Sequence, residues 1–565
     1  MATKRYLIIG GVAGGASVAA RLRRLDEKAE ITMLERGRDV SFSNCALPYF
    51  IGGDIASSED LKLVTPDTFW RRYRIQARTL TEALAIDREH KTVRVKNLET
   101  GTEEILAYDA LFLSPGASPI MPSLIPGIKL PHVFSVRNVV DVERIDQHLS
   151  EHPIKEVAVI GGGFIGLEMT ESLHKRGFHV TVVDMAPQVM LPFDPDMAQL
   201  LHKEIMDQGV SLALGDGLKE IHEDCVTLAS GRRIPAQAVI MGIGVMPETG
   251  LARDCGLDVT NSGNIRVDGA MRTSDPHIFA VGDAVEVIRF QTGKPTRLPL
   301  AGPALRQARQ AATAQTEQVP DIPGVLGSSV IRVFDLTAAV TGMNEKLLRD
   351  EGIDYGVAFV IANDIVGIMP GASPIFIKLM YENGSGKVLG AQAIGQGAAE
   401  KRIDVIATAI RFGATVHDLK DLDLCYSPLY STARDPVNQV SMQATNLLEG
   451  KVRQVLFSQV RELVDQGAYL LDVREREEYD HAHVKGAVNI PLSELRERQG
   501  EIPRDRPVYA YCRSGGRSYN AVRALVQEGV DAYNIAGSFL ALSWHEYYQD
   551  QAHERESIVT GYNFE

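Results

Sequence analysis

Residues 6–35 read YLIIGGVAGGASVAARLRRLDEKAEITMLE, and this stretch decides the fold. Tyr6–Ile9 is a short apolar run that stops at Gly10, Gly11, Val12, Ala13, Gly14 and Gly15. An Ala/Arg-rich helical stretch follows to Leu25, and a second apolar run, Ile31–Leu34, ends on Glu35. Strand, glycine-rich turn, helix, strand, acid is the order of a dinucleotide-binding βαβ unit, in which pyrophosphate rests on the helix N-terminus and the acid takes a ribose hydroxyl. Val12 stands where the middle glycine of GxGxxG belongs, so the match is incomplete.

The order recurs at 157–184, VAVIGGGFIGLEMTESLHKRGFHVTVVD. Gly161, Gly163 and Gly166 complete GxGxxG, a helix runs toward Arg176, and Val180–Val183 leads to Asp184. One glycine-rich motif is often only a structural turn, but two in strand-helix-strand context with acids at the expected distance point to two nucleotides. No arginine sits beside Asp184, which favours a free ribose 2′-hydroxyl and NADH, with NADPH as the alternative. Further on, Ile278–Val281 runs into Gly282 and Asp283; an aspartate at such a strand end can bond a sugar-like chain, or simply cap the next helix.

At 565 residues the chain exceeds one core and predicts several modules. A net charge of -14 argues against a nucleic-acid surface and against attraction to anionic membranes, so any anionic ligand must be held by local arginines. Five cysteines, Cys45, Cys225, Cys255, Cys425 and Cys512, are too few and scattered for a disulfide framework, and with the histidines they offer no metal-ligand spacing, so no metal is expected. His481 and His483 read as solvated or core-satisfied, Trp544 and Tyr547 as C-terminal packing, and the charges of EREEYDH from 475 as an exposed helix face. The start, MATKRYLIIGG, has only four apolar residues before glycine, too short for a signal or membrane segment, and predicts a first strand in a cytoplasmic protein.

From about 324 the pattern changes to strands at Ser329–Phe334, Ile375–Met380 and Val388–Ile394 with a helix at Lys401–Phe412, a separate α+β domain. Gly450 and Lys451 open a polar linker. A new alternation then begins with 469–473, a strand at Val508–Tyr511 and a helix at Tyr519–Gln527, and the residues from Gln551 on read as a tail.

Two cysteines carry chemistry. Neither Cys45, in SFSNCALPY, nor Cys512, in YCRSGGRS, has a CxxC or CxxxxC neighbour, so the partner sulfur must come from a substrate or cofactor. Cys512 closes an apolar strand and opens the loop to Arg517 ahead of a helix. Backbone amides can ring such a sulfur, Arg513, Arg517 and the helix N-terminus favour the thiolate, and Gly515 and Gly516 permit the curvature. The competing reading of either thiol is an inert, buried cysteine.

GGVAGGAS, SFSNCALPY, SPGA (114–117), GGGFIGLE, SDPHIFAVGDA (274–284), LPLAGPALRQAR (298–309) and CYSPLYSTARDPVN (425–438) resemble the single-cysteine flavoprotein disulfide reductases, coenzyme A disulfide reductase among them. LLDVRE (470–475), HAHVKGAVNIPL (481–492) and YCRSGGRS (511–518) resemble a rhodanese domain. The fusion is similar to NADH-dependent reductases of persulfides, polysulfides and CoA disulfide.

The resemblance implies an α/β chain with two Rossmann-like FAD/NAD(P)-binding domains, an α+β dimerisation domain and a C-terminal α/β rhodanese domain. The boundaries expected are 1–150 and 271–323 for the FAD domain, 151–270 for the NADH domain, 324–448 for the dimerisation domain, 449–455 for a linker, 456–550 for the rhodanese domain and 551–565 for a tail. Gly10, Gly11, Gly14, Glu35 and Arg36 would hold the ADP half of FAD. Asn44, Ser114, Pro115, Gly116, Arg137, Gly282, Asp283 and Ala301 would lie along the rest. NADH would bind at Gly161, Gly163, Gly166, Glu168 and Asp184, with Gly244 closing the site.

Ser41, Asn44 and Cys45 match the redox motif, while Arg24, Arg72, Arg306 and Arg434, with Ser41 and Asn44, would contact coenzyme A as substrate or bound thiol. Reduced flavin would pass electrons to Cys45, and Cys512, with Arg517, would accept a sulfane sulfur. Tyr426 would donate to a leaving thiolate from the partner subunit of a homodimer. Relatives carry two tyrosines where this chain has Ile368 and Met369 before Pro370 and Gly371, though Tyr426 and Tyr430 remain. The rival readings are an NADH oxidase or peroxidase cycling through a Cys45 sulfenic acid, which has no use for a rhodanese module, and a redox sensor or sulfur relay with slow turnover.

Overall fold

The computed structural model describes residues 3–564. The chain divides into two compact units, one formed by residues up to 185 with 216–325, the other by 186–215 with 326 onward.

The first unit contains two parallel sheets of one plan. In the first, strands run in the order Ile278–Ala280, Ala110–Leu113, Arg5–Ile9, Glu30–Leu34, Ile75–Arg78, all parallel. Both faces are covered, which is why Leu7, Ile8, Leu111 and Phe112 are all buried rather than alternating in and out. Helices Ala13–Leu25 and Ala301–Thr313 pack in one core through small residues, Ala19 against a partner built of Ala308, Ala311 and Ala312. The chain leaves Arg5–Ile9 to one side and returns on the other at Ala110–Leu113, so the two strands flank a topological switch point, where open α/β sheets bind ligands. Glu156–Ile160 pairs in parallel with His179–Asp184 on one side and Ala238–Met241 on the other, which makes a second switch point of the same kind. An antiparallel trio follows each unit, Thr81–Asp87, Thr92–Asn97 and Glu103–Ala107 in the first, Leu218–Ile221, Cys225–Leu228 and Arg233–Pro235 in the second.

The second unit holds an antiparallel sheet in the order Ser329–Val333, Leu336–Gly342, Val388–Gly395, Pro374–Glu382, Tyr355–Asn363, covered by helices Ala399–Arg411 and Pro436–Leu448. It also holds a parallel sheet, Gln454–Leu456, Ala532–Ala536, Val508–Tyr511, Tyr469–Asp472, Val488–Asn489, with helix Gly516–Gln527 in its core and the long helix Ser538–His553 after its last strand. Helix Pro195–Asp207 packs against Ser538–His553: His202 lies 4.5 Å from the Tyr548 ring, and Lys203 Nζ sits 4.5 Å from Trp544 and 3.9 Å from Phe564.

Two segments differ from the sequence expectation. The span 449–455 is not a free linker: Val452 is buried and the parallel sheet begins at Gln454. The span 551–565 is not a tail over its described residues: the last helix reaches His553, Ile558 and Val559 are buried, Val559 bridges Val484, and Tyr562 Oη donates to Asp550 at 2.7 Å. A few apolar side chains in a polar run suffice, because the surfaces they cover are already built. Among the described residues, no helix is long and apolar enough to cross a membrane.

Candidate active sites

The glycine-rich turns leave room only for backbone. Gly10 takes φ +100°, and a Cβ there would stand 2.0 Å from the Ser114 carbonyl oxygen across the switch point; at Gly14 it would meet Ser114 Oγ at 2.5 Å. Gly161 repeats the device with φ +108° and Gly242 O at 2.4 Å. Glu35 bridges its turn, accepting the Gly11 amide at 2.8 Å and the Gly37 amide at 2.7 Å, and Asp184 accepts the Gly162 amide at 2.7 Å.

These turns feed helices that begin without a side-chain cap. The helices starting at 66, 139 and 345 open on Thr65, Asn138 and Asn344, whose side chains accept first-turn amides. Those starting at Ala13, Phe164 and Ala301 have no such cap and no acid in the first turn. Open amides, positive helix ends and a carboxylate held across each turn form a donor set that fits the pyrophosphate and ribose of FAD at the first switch point and of NADH at the second.

Around the first site the Arg137 guanidinium packs over Gly116, where a Cβ would lie 2.5 Å from Nη2, and the Arg137 carbonyl accepts from Asn44 Nδ2 at 3.3 Å. The Gly282 amide donates to Gln307 at 2.8 Å, and burial pushes the neighbouring Asp283 carboxyl up, with Arg137 drawing it back. Pro115 follows Ser114 at the strand end, Gly244 takes φ +112°, and Ala301 opens its helix exposed. Arg36 is mostly exposed and pairs with Glu248 at 3.1 Å.

Cys45 sits in the short turn Asn44–Ala46, after Ser41 at φ +48° and ahead of the Pro48-initiated helix Leu47–Ile51. It is exposed, and all five cysteines are free thiols. Partial desolvation of the sulfur pushes its pKa up, and the charges of Glu168 and Asp283 push the same way. Glu168 rides on helix Phe164–Lys175, which packs against Leu47–Ile51; burial, aided by Glu171, pushes it up to about 7. Arg24, Arg72 and Arg306 are exposed in this unit, as are Arg434 and Tyr426 in the other, and no ion pair engages these four arginines among the described residues.

The Cys512 site is set differently. The thiol is buried at the end of Val508–Tyr511, and its sulfur accepts the Gly515 amide at 3.1 Å, Ser518 Oγ at 3.5 Å and Ser538 Oγ at 3.8 Å. Burial raises the thiol pKa, but the Ser518 hydroxyl and the amides of Ser518, Gly515 and Ser514 outweigh it and hold it below the usual value. Gly515 takes φ +109°, the conformation that turns its amide inward. Ser518 lies in the motif itself; Ser538, 26 residues on, carried no signal in the sequence. Arg517, expected to favour the Cys512 thiolate, directs both terminal nitrogens to Glu478, at 2.5 and 2.7 Å, so Glu478 is not part of a purely solvated face. Asp472 and Arg474 form a buried bidentate pair that also binds the Ala482 carbonyl, and His483 stacks on Tyr479 at 3.8 Å.

Comparison with known proteins agrees with this construction. Residues 4–317 match the pyridine nucleotide-disulphide oxidoreductase family, 328–436 its dimerisation domain, and 456–544 the rhodanese-like domain. Coenzyme A disulfide reductase of Staphylococcus haemolyticus is 32% identical over 445 residues, 79% of this chain and the whole of that protein. The crystal structure of reduced Bacillus anthracis CoADR-RHD superposes with a TM-score of 0.93 at 45% identity, covering 96% of this chain and 98% of that one. An NAD-dependent persulfide reductase from A. fulgidus gives 0.91 at 35%, covering 95% and 99%. Two nucleotide cradles, an exposed thiol beside them and a second thiol ringed by amides on a fused module thus place the chain among the pyridine nucleotide-disulphide oxidoreductases, oxidoreductases that bind FAD and NAD(H), with a rhodanese-like domain joined at the C-terminus.

Proposed function

We propose that the chain is an NADH-dependent reductase of persulfides, polysulfides or CoA disulfide, in which Cys45 takes the sulfur to be reduced and Cys512 accepts sulfane sulfur upstream. The observation that carries the reading is the pair of thiol settings: an exposed Cys45 on the nucleotide-binding unit, and a buried Cys512 whose sulfur is ringed by donors. FAD, when bound at Gly10–Gly15, Ser114 and Asp283, supplies the two-electron link between nicotinamide and sulfur.

The Cys45 thiolate attacks the sulfur of a disulfide or persulfide, forming a mixed disulfide while a thiolate or hydrosulfide leaves. Exposure of the thiol suits a carried-in partner sulfur, and the exposed Arg24, Arg72, Arg306 and Arg434 suit the phosphates of coenzyme A. In the homodimer, Tyr426 and Arg434 complete the partner's site. Support for this is the exposure of Tyr426, Leu429, Tyr430 and Ile368 within or next to the matched dimerisation domain, a run of apolar side chains that pairing would cover. Five free thiols suit a reducing compartment, which supports a cytoplasmic location.

Intact-mass spectrometry with and without reductant tests the reading. A reducible adduct of CoA mass on Cys45 supports CoA as the carrier. An oxygen-bearing Cys45 that forms no adduct with any small thiol contradicts it and favours the oxidase chemistry.

A further inference from the structure

We propose that Glu478 sets the donor specificity of the Cys512 site by neutralising Arg517, so that the loop takes the persulfide of a small thiol in preference to dianionic thiosulfate. The inference rests on the sulfur-accepting role of Cys512 given above.

Transfer from thiosulfate forms a bond between Cys512 Sγ and the sulfane sulfur and breaks the sulfane–sulfonate bond, with sulfite leaving on the electron pair. Transfer from a persulfide forms the same bond and expels a thiolate. The first reaction brings a thiolate and a dianion together, and needs positive charge where the sulfonate sits. The second needs only the donors that hold the sulfur. The structure provides the latter: the Gly515 amide and the Ser518 and Ser538 hydroxyls already point at Sγ.

Arg517, on the first turn of helix Gly516–Gln527, is one of the loop's two arginines and lies within electrostatic reach of Cys512. Both its terminal nitrogens are bound by Glu478, whose carboxyl the guanidinium holds below its usual range, and Glu475 adds a second negative charge nearby. Arg474 is cancelled by Asp472, and Arg476 pairs with Asp480. Three arginines around the Cys512 loop, Arg474, Arg476 and Arg517, are therefore each met by a carboxylate, which lowers the positive charge they offer a dianionic donor.

Second-order rates of sulfur loading on Cys512 from thiosulfate and from glutathione persulfide, read by peptide mass spectrometry on the full-length protein, test this. Glu478→Gln keeps the carbonyl oxygen that caps Glu475 and removes the charge. The ratio of thiosulfate to persulfide rates should rise about tenfold, the effect of one unit charge at several ångströms in a half-buried site, and the rise should shrink with added salt. The double variant E478Q/R517Q should return the ratio to near the original value. An unchanged ratio, or equal falls with both donors, overturns the proposal and leaves Glu478 a structural cap. Failure of every protein to load sulfur from either donor overturns instead the role of Cys512, and the specificity inference with it.

Discussion

The Gly515 amide donates to Cys512 Sγ at 3.1 Å, and this contact, with those from Ser518 and Ser538, separates the two thiols of the chain. Cys512 is buried yet held below the usual thiol range, whereas Cys45 is exposed yet pushed above it. Of these two thiols, the protein's own groups favour the thiolate at Cys512 and disfavour it at Cys45. A buried anion met by several N–H and O–H donors is favoured over the neutral thiol, while one that is partly desolvated without such donors, with the charges of Glu168 and Asp283 acting on it, is not.

Sulfur loading of Cys512 should therefore persist to lower pH than loading of an ordinary thiol. Loading requires the thiolate, so its rate rises with pH and levels off; the midpoint should lie below the ordinary value of 9.0. Ser518→Ala removes the largest of the lowering contributions and should move the midpoint upward. A pH series of loading rates from glutathione persulfide reads both.

Glu168 should control the reactivity of Cys45. Raised to about 7, it is neutral below that pH and charged above it, and the charged form disfavours the Cys45 thiolate. Glu168→Gln should speed alkylation of Cys45 by iodoacetamide about threefold at pH 8 and leave it unchanged at pH 6. Equal rates at both pH values would remove Glu168 from this role.

The glycine turns separate the two nucleotides. Gly10→Ala forces a Cβ to 2.0 Å from Ser114 O and should give protein purified without flavin absorbance. Gly161→Ala, with Gly242 O at 2.4 Å, should retain flavin and raise the KM for NADH about tenfold or more. Wild-type protein should prefer NADH to NADPH, because a 2′-phosphate would face the Asp184 carboxylate.

Lys378 pins helix Pro195–Asp207 to the antiparallel sheet. Its buried ammonium lies 2.8 Å from Asp196, 3.1 Å from Asp194 and 2.5 Å from Glu345, so it fills the space where three carboxylates would otherwise meet. Lys378→Met should cost about 3–5 kcal/mol, since it leaves buried carboxylates without their counter-charge. A lowered unfolding midpoint in urea would register it.

What was legible in the sequence was local. Both βαβ units, the Cys45 motif and the Cys512 loop are carried by residues within about thirty positions of one another, where turn geometry and strand–helix order leave few alternatives. What was not legible depends on distant partners. Lys378, Asp194, Asp196 and Glu345 look like surface charges until the fold gathers them. Glu478 sits in a charge run whose neighbours are solvated, and only the arrival of Arg517, 39 residues on, gives it a role. The residues after His553 are too polar to announce a core, yet Val559 finds Val484 already in place.

The most direct test of the central claim is anaerobic NADH oxidation coupled to sulfide release from a small-thiol persulfide, measured for the wild type, Cys45→Ser and Cys512→Ser. Cys45→Ser should abolish the coupled reaction while leaving Cys512 able to take up sulfur, and Cys512→Ser should spare reduction of the soluble persulfide. NADH-linked sulfide release that survives Cys45→Ser would contradict the account.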